Sequence, residues 1–440
     1  MFRALILRSI PRIRKIRRMM DVLAEREKWS RSEIAEFQLE KINQIWDHAI
    51  THVPYYRQLF RERNLPRQFK SLSEYTSSVP ILDKETVRSG QLVSEKRRPG
   101  KWHHTSGSTG VPLAIYRENH AELEMLACQF RYRASWGVDI FDRMALFGQA
   151  TYFPPGFLGW VARRRESVKE FLRNRVLFPA YRLGKTDLRW YLQEIKKFDP
   201  VLLYGNTSAI YLLALEALES GERIDSLKLV VLTMELVPDF VRDIVKRAFQ
   251  TNVITEYGAT ECYVIAYEDD QHLLRVREDV VAVETLPTKD NQYRIIISVL
   301  NNPSFPLLRY DIGDVTERPV NETDSGFAVL GPIKGRVADF LISASGRPIR
   351  IDLDMLRGYS SVRRFRVHQF SDGRVLLLVE VDSLERNIDF GGIQKKLRAL
   401  LEGQNVEVKV MEAIPPTSAG KHRWIVSELV NNRARIGSAR

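Results

Sequence analysis

The residues best suited to binding an anion lie between Lys101 and Leu113, in the run KWHHTSGSTGVPL. Gly107 and Gly110 carry no Cβ, so backbone N–H groups can turn inward and approach a charged oxygen. Thr105, Ser106, Ser108 and Thr109 add hydroxyl donors. The order Thr-Ser-Gly-Ser-Thr-Gly-x-Pro suits a cradle for phosphate groups. It is not a Walker loop, because no Gly-Lys-Ser/Thr follows. A plain Ser/Gly loop has the same composition, so the reading depends on companions elsewhere in the chain.

Four other stretches supply them. Glu256-Tyr257-Gly258-Ala259-Thr260-Glu261 offers a flat ring for a base, a hydroxyl, and a carboxylate able to hold magnesium beside substrate phosphates. Without a ligand the same six residues read as a turn followed by a surface acid. Arg309-Tyr310-Asp311-Ile312-Gly313-Asp314 places an aspartate after a glycine-bearing turn, where it can accept from two ribose hydroxyls or from its own backbone. Gly335-Arg336 offers a cation for phosphate or ribose, or a surface ion pair. Ser418-Ala419-Gly420-Lys421 puts a lysine on a loop, where it either swings into a site or stays in water.

These stretches need a scaffold, and hydrophobic periodicity outlines one. Segments alternate between strand and helix: Arg143–Gly148, Val201–Tyr204, Leu227–Met234 and Val253–Glu256 as strands; His120–Trp136, Thr186–Phe198, Ser208–Leu218 and Pro238–Phe249 as helices. Such alternation implies a largely parallel sheet covered by helices. From His272 the texture turns to antiparallel hairpins. Beyond Gly335 a smaller unit is expected, with a hairpin around Ser371-Asp372-Gly373. There Ile393, Leu397, Leu400 and Leu401 form one apolar helix face, and Val406–Val410 reads as the last strand. Near the start, Asp21–Phe60 is helical, Pro54 acts as a breaker, and Asp83 caps a short helix over Glu85–Leu92.

The chain has 440 residues and 44% hydrophobic content, enough for a substantial core. Cys128 and Cys262 are its two cysteines, in neither a CxxC nor a Cys/His cluster, so neither zinc nor a disulfide framework is expected. That usage suits a reducing cytoplasm. The net charge of +12 favours anionic partners, but no nucleic-acid module is visible. Residues 1–20 (MFRALILRSIPRIRKIRRMM) interleave seven Arg and Lys with apolar residues and no acid. The apolar run is too short to span a bilayer. It reads as a basic arm, either solvated or in peripheral contact with anionic lipid at the inner membrane face.

Taken together and in this order, the five stretches resemble the adenylate-forming superfamily of acyl-CoA synthetases, adenylation domains and luciferase. The branch they look most like is the phenylacetate–CoA ligase family with its capsular-polysaccharide relatives, on the strength of HVPYYRQLF, the compact length and His103 ahead of the glycine-rich loop. The resemblance implies an α/β fold: a large N-terminal domain (1–333) of two α/β layers plus a β-barrel, and a small mobile α+β lid (334–440). It implies ATP, magnesium and coenzyme A as cofactors and a small carboxylic acid as substrate. The reaction would form an acyl adenylate and then a thioester. The alternative is transfer to an amine or hydroxyl acceptor, or retention of AMP, in envelope or polysaccharide synthesis.

By the same resemblance, Thr105, Ser106, Gly107, Ser108, Thr109 and Gly110 form the phosphate loop. Tyr257 and Gly258 lie against adenine, Thr260 near the α-phosphate, Glu261 on magnesium and Asp314 on the ribose. Arg336 touches the nucleotide from the hinge, and Lys421 is the lid lysine of the adenylation step. Tyr204, Gly205, Asn206 and Glu235 follow strands expected to point at the acid, with Glu235 either meeting a polar substituent or serving as a structural acid. Two positions depart from the pattern. Leu113 stands after Pro112 where a lysine is common, and Ala338, followed by Asp339, replaces the usual hinge acid. Both bear on the coenzyme A step. The acid, the acceptor and the oligomeric state are not legible.

Overall fold

The computed structural model describes residues 11–104, 113–148, 170, 173–180, 183–288, 290–323, 325–336, 341–346, 348–349, 351, 362–381, 389–415 and 422–429. The loop Thr105–Gly110, the pair Ala338 and Asp339, and Lys421 lie outside them.

The chain opens with helices α1 (Pro11–Arg26), α2 (Arg31–His52), α3 (Pro54–Glu62), α4 (Leu72–Ser78) and α5 (Lys84–Arg88). Hairpin strands β1 (Gly100–His104) and β2 (Ala114–Glu118) flank the glycine-rich loop and lead into α6 (Asn119–Ser135). Strands β3 (Met144–Gly148) and β4 (Arg175–Pro179) precede α7 (Lys185–Phe198), β5 (Leu202–Asn206), α8 (Thr207–Ser220), β6 (Leu229–Thr233) and α9 (Asp239–Phe249). Next come β7 (Asn252–Ala259), β8 (Tyr263–Glu268), β9 (Leu274–Val276), β10 (Val281–Pro287), β11 (Tyr293–Val299), β12 (Tyr310–Thr316), β13 (Val329–Leu330) and β14 (Ile333–Arg336). The rest comprises β15 (Leu341–Ile342), β16 (Pro348–Ile349), β17 (Val362–Gln369), β18 (Val375–Val381), α10 (Gly391–Leu400), β19 (Val406–Met411) and β20 (Ile425–Ser427).

Local chemistry explains the main boundaries. Ser30 and Glu33 form a reciprocal capping box at the start of α2. Asp83 accepts the Thr86 N–H at 2.7 Å and starts α5. Pro54, expected to break a helix, instead occupies the first turn of α3, where its missing N–H costs nothing. Helix α8 is buried on every side through Thr207–Ala214, as an element apolar all round must be.

The residues group into two units. Met1–Phe141 and Ile254–Gly335 form the first. Here β10, β11, β12 and β14 make one sheet, and β8 pairs antiparallel with both β7 and β9. Its core includes Trp46, Tyr56, Ile115, Ile265, Ile297 and Tyr310. Asp142–Val253 and Arg336–Arg440 form the second. In it β4, β3, β5 and β6 run parallel beneath their crossover helices. A mixed sheet in the order β19-β18-β17-β20 carries the C-terminal segment. One apolar core runs through this unit, with Phe240 of α9 edge-on to Trp424 at 5.7 Å. The fold class is the α/β expected from the alternation.

Three local expectations are corrected. Residues 11–20, read as an arm, belong to a packed helix in which Ile16 is buried. Leu400, the last residue of α10, is 40% exposed, whereas Ile393, Leu397 and Leu401 are buried. The last strand is β20, beyond Val406–Val410. Among the described residues no helix is long and apolar enough to cross a membrane.

Gly205 lies next to last in β5. Its φ is +145°, and a Cβ there would lie 2.0 Å from the Phe147 carbonyl oxygen of the neighbouring strand. Gly205→Ala is expected to lower unfolding free energy by about 3 kcal/mol or more through backbone displacement, measured by urea denaturation. Wild-type stability would contradict the close approach.

Candidate active site

Two of the sequence-selected stretches meet in the first unit. Strand β7 ends in Tyr257-Gly258-Ala259, and β12 carries Asp314. The Tyr257 hydroxyl donates to Asp314 Oδ2 at 2.8 Å. A side chain at Gly258 cannot be accommodated, since a Cβ would sit 1.6 Å from the Tyr263 carbonyl oxygen of β8. The glycine lets the two strands close at the point where Tyr257 turns toward β12.

The acids around this junction divide by their partners. Glu256 is buried and taken up by α6: Gln129 donates to it at 3.0 Å, Tyr132 also donates to it, and Arg133 lies 3.5 Å away. It is a structural acid. Asp311 receives the Arg294 guanidinium and the Gly313 N–H, the latter at 3.0 Å, and so is a self-bonded turn aspartate. Arg309 clamps Glu284 with two hydrogen bonds of 3.0 and 2.9 Å and donates to the Val79 carbonyl at 2.6 Å. That arginine holds the fold.

Glu261 is 6% exposed and accepts from the Tyr310 hydroxyl at 3.1 Å. Burial, and then the facing Glu261 carboxylate, push the Tyr310 phenol far up, so it stays a donor. Among the described residues no cluster of three His, Cys, Asp or Glu side chains could hold a metal ion. A single buried carboxylate such as Glu261 could hold a cation only with further ligands from outside the chain, such as phosphates and water. The Thr260 carbonyl accepts from the buried Arg117 guanidinium, which lies 4.3 Å over the Tyr263 ring. Tyr310 and Arg117 were not selected from sequence. The signal for Tyr310 was its place inside the motif; Arg117 had none.

His103 stands on β1 two residues before the loop segment outside the described residues. Its Nε2 is buried without a partner among the described residues. Burial first, and Arg117 second, lower its pKa. Leu113, where a lysine was considered, is 1% exposed and sits in the core. Arg336 ends β14, at the boundary of the unit.

The remaining candidates lie in the second unit. Tyr204, Gly205 and Asn206 end β5, and Glu235 follows β6. The Glu235 carboxylate is engaged by its own chain. Ser208 donates from its N–H at 2.7 Å and its hydroxyl at 3.1 Å, Asn206 from its amide at 3.4 Å, and the His422 N–H at 2.8 Å. Burial pushes the carboxyl pKa up against these donors, which pull it down. His422 is 3% exposed and bonds the Phe365 carbonyl through Nε2 at 2.8 Å, so that nitrogen carries the proton. Burial, followed by Arg364 and Arg366, drives its pKa well below the ordinary histidine value.

No family model matches the chain. Protein CapK of Staphylococcus aureus is 21% identical over 416 residues, covering 90% of each chain. A solved 2-hydroxyisobutyryl-CoA ligase, in the postadenylation state with R3-HIB-AMP, is similar with a TM-score of 0.71 at 18% identity, covering 94% of each chain. The same ligase with 2-HIB-AMP and CoA in the thioesterification state gives a TM-score of 0.60 at 19% identity, covering 95% and 94%. The fold is that of the adenylate-forming ligases.

A histidine buried neutral costs stability when the unfolded chain can take up a proton and the folded one cannot. Stability from His422 is complete above the unfolded pKa of about 6.5 and declines as pH falls toward the lowered folded value. Wild type is expected to lose up to about 1.4 kcal/mol per pH unit relative to His422→Gln between about pH 6.5 and 5, measured by calorimetry. Parallel profiles would show that His422 titrates normally.

Proposed function

We propose that this chain is an ATP-dependent carboxylic-acid ligase that forms an acyl adenylate. The observation that carries the reading is the Tyr257–Asp314 hydrogen bond, because it joins two motifs 57 residues apart into one surface beside the buried Glu261. The fold shared with adenylate-forming ligases supports it.

A carboxylate is a poor acyl donor because oxide is a poor leaving group. In the proposed reaction a carboxylate oxygen attacks the α-phosphorus of ATP. The bond from that phosphorus to the β-bridging oxygen breaks, and pyrophosphate leaves with the electron pair. Thr105 through Gly110 would cradle the phosphates with backbone and hydroxyl donors. Tyr257 and Gly258 would offer a flat face to adenine, Asp314 would accept from the ribose, and Thr260 would lie near the α-phosphate. Magnesium supplies positive charge to the phosphates when bound, and Glu261 is the carboxylate that would hold it. Arg336 would contact the nucleotide at the edge of the C-terminal segment. Lys421 would stabilise charge gathering on the α-phosphoryl oxygens. Tyr204, Gly205 and Asn206 would line the acid site. A thiol, that of coenzyme A, would then attack the acyl carbon and release AMP, with residues 334–440 acting as the lid.

Pyrophosphate exchange into ATP over a panel of aliphatic, aromatic and hydroxy acids tests the reaction. At least one acid should support exchange, and Lys421→Ala should slow it by ~100-fold or more while preformed adenylate is still consumed at the wild-type rate. Failure of every acid would dispose of the ligase reading. Asp314→Ala should raise the KM for ATP by about 10-fold or more and leave that for the acid within about 2-fold, as expected for lost ground-state contacts to the ribose. An unchanged KM for ATP would remove Asp314 from the nucleotide site.

A further inference from the structure

The His422–Glu235 hydrogen bond assigns Glu235 a task different from contact with the acid. Glu235 sits in the turn after β6, directly behind Met234, whose φ of +69° places it in the left-handed region. Its carboxylate meets the start of α8, where Ser208 donates from backbone and side chain. Helix N-termini favour anions because their first N–H groups have no partner within the helix. Asn206, at the N-cap of α8, makes no capping bond and turns its amide toward the same carboxylate. These groups fix Glu235 before anything else arrives.

The remaining donor comes from 187 residues away. It is the amide of His422, and that nitrogen is one end of the peptide bond from Lys421. The C–N bond is about 1.33 Å long, so a hydrogen bond to this amide fixes the chain immediately beside the lysine. The flanking segment is held as well. Arg366 donates from Nε to the Arg423 carbonyl at 3.0 Å and from its terminal nitrogen to the Pro415 carbonyl at 2.8 Å. The Ile414 N–H donates to Glu380 at 2.7 Å. The His422 ring is wedged edge-on to Trp424 at 4.5 Å. Both ends of the lysine-bearing segment thus rest on β17 and β18, and Glu235 alone among these anchors belongs to the parallel α/β sheet.

We infer that Glu235 is a positioning residue: its carboxylate, set by the α8 N-terminus, is the receptor for the His422 amide and so determines where Lys421 is presented. The inference rests on the proposed role of Lys421 in adenylation. Glu235 does not itself touch reacting atoms. It is needed for the half-reaction that uses the lysine and dispensable for the one that does not.

Glu235→Gln tests this, because it keeps the size of the side chain but turns one acceptor into a donor facing Ser208 or His422. With magnesium ATP and the acid giving the fastest exchange in the panel, adenylation at saturating substrate should fall about 10- to 100-fold, as for a misplaced catalytic group. The KM for the acid should stay within about 2-fold, and consumption of preformed adenylate should be unchanged. Glu235→Gln/Lys421→Ala should be no slower than Lys421→Ala, since the two act as one unit. Amide exchange of the protein without ligand should show His422 losing protection in Glu235→Gln while Ser427 in β20 keeps it. Ser208→Ala, a milder change at the same receptor, should give the same pattern to a smaller degree if Glu235→Gln does not fold.

A fast Glu235→Gln beside a slow Lys421→Ala overturns the inference alone. So does a raised KM for the acid at unchanged maximal rate, or a multiplicative loss in the double variant, since either would place Glu235 in the acid pocket. A Lys421→Ala enzyme as fast as wild type overturns the lysine assignment, and the positioning role falls with it.

Discussion

A carboxylate taken out of water must be met by donors, and the donors available decide what it can do. This constraint sorts the buried acids of the chain. Glu118 is bonded to Ser304 through backbone and hydroxyl, at 3.0 and 2.7 Å. Glu278 takes two hydrogen bonds from Arg31 and one from the Ala328 N–H. Glu380 takes Arg364 and the Ile414 N–H. Glu256 is held by Gln129, Tyr132 and Arg133. Each ties separate segments together. Glu261 accepts from the Tyr310 phenol, whose own ionisation is suppressed.

The same sorting separates motif residues that build from those that can bind. Within Glu256-Tyr257-Gly258-Ala259-Thr260-Glu261, the first acid anchors α6, the glycine permits the approach of β8, and the tyrosine reaches β12. Within Arg309–Asp314, the arginine and the first aspartate are engaged by Glu284 and Arg294. Asp314 shares its Oδ2 with a phenol. A short motif therefore mixes framework and chemistry at adjacent positions, and backbone alternation along a strand is what keeps the two apart.

What could be read from sequence was local. The strand–helix alternation over 143–256 was legible because each element carries its own period and its own turn residues. Asp83 was legible as a cap because a cap acts within three residues. The packing of α1 was not: its arginines look solvated in sequence, and only the fold brings Arg17 to 3.6 Å from Asp139 and Arg26 to 3.6 Å from Glu124. Strand β20 was missed because three residues carry too little pattern, and its ladder partner Val367 lies 58 positions before Ile425. Glu235 was singled out from sequence as a candidate, but its donors come from Asn206, Ser208 and His422, which no spacing rule connects.

That last case shows how the parallel sheet shapes the chemistry available to it. Ligands of such sheets gather beyond the carboxyl ends of the strands, where helix N-termini point. Here the end of β5 and the start of α8 meet Glu235, and the charge that a helix N-terminus attracts is supplied by the protein. A carboxylate with its donors already satisfied on one side is a poor partner for an incoming amine and a good acceptor for one more backbone N–H. The chain beside Lys421 is thereby tied to the sheet that would hold the acid. In the proposed reaction, placement of the acid and approach of the lysine would both depend on one short stretch, from Tyr204 to Ser208.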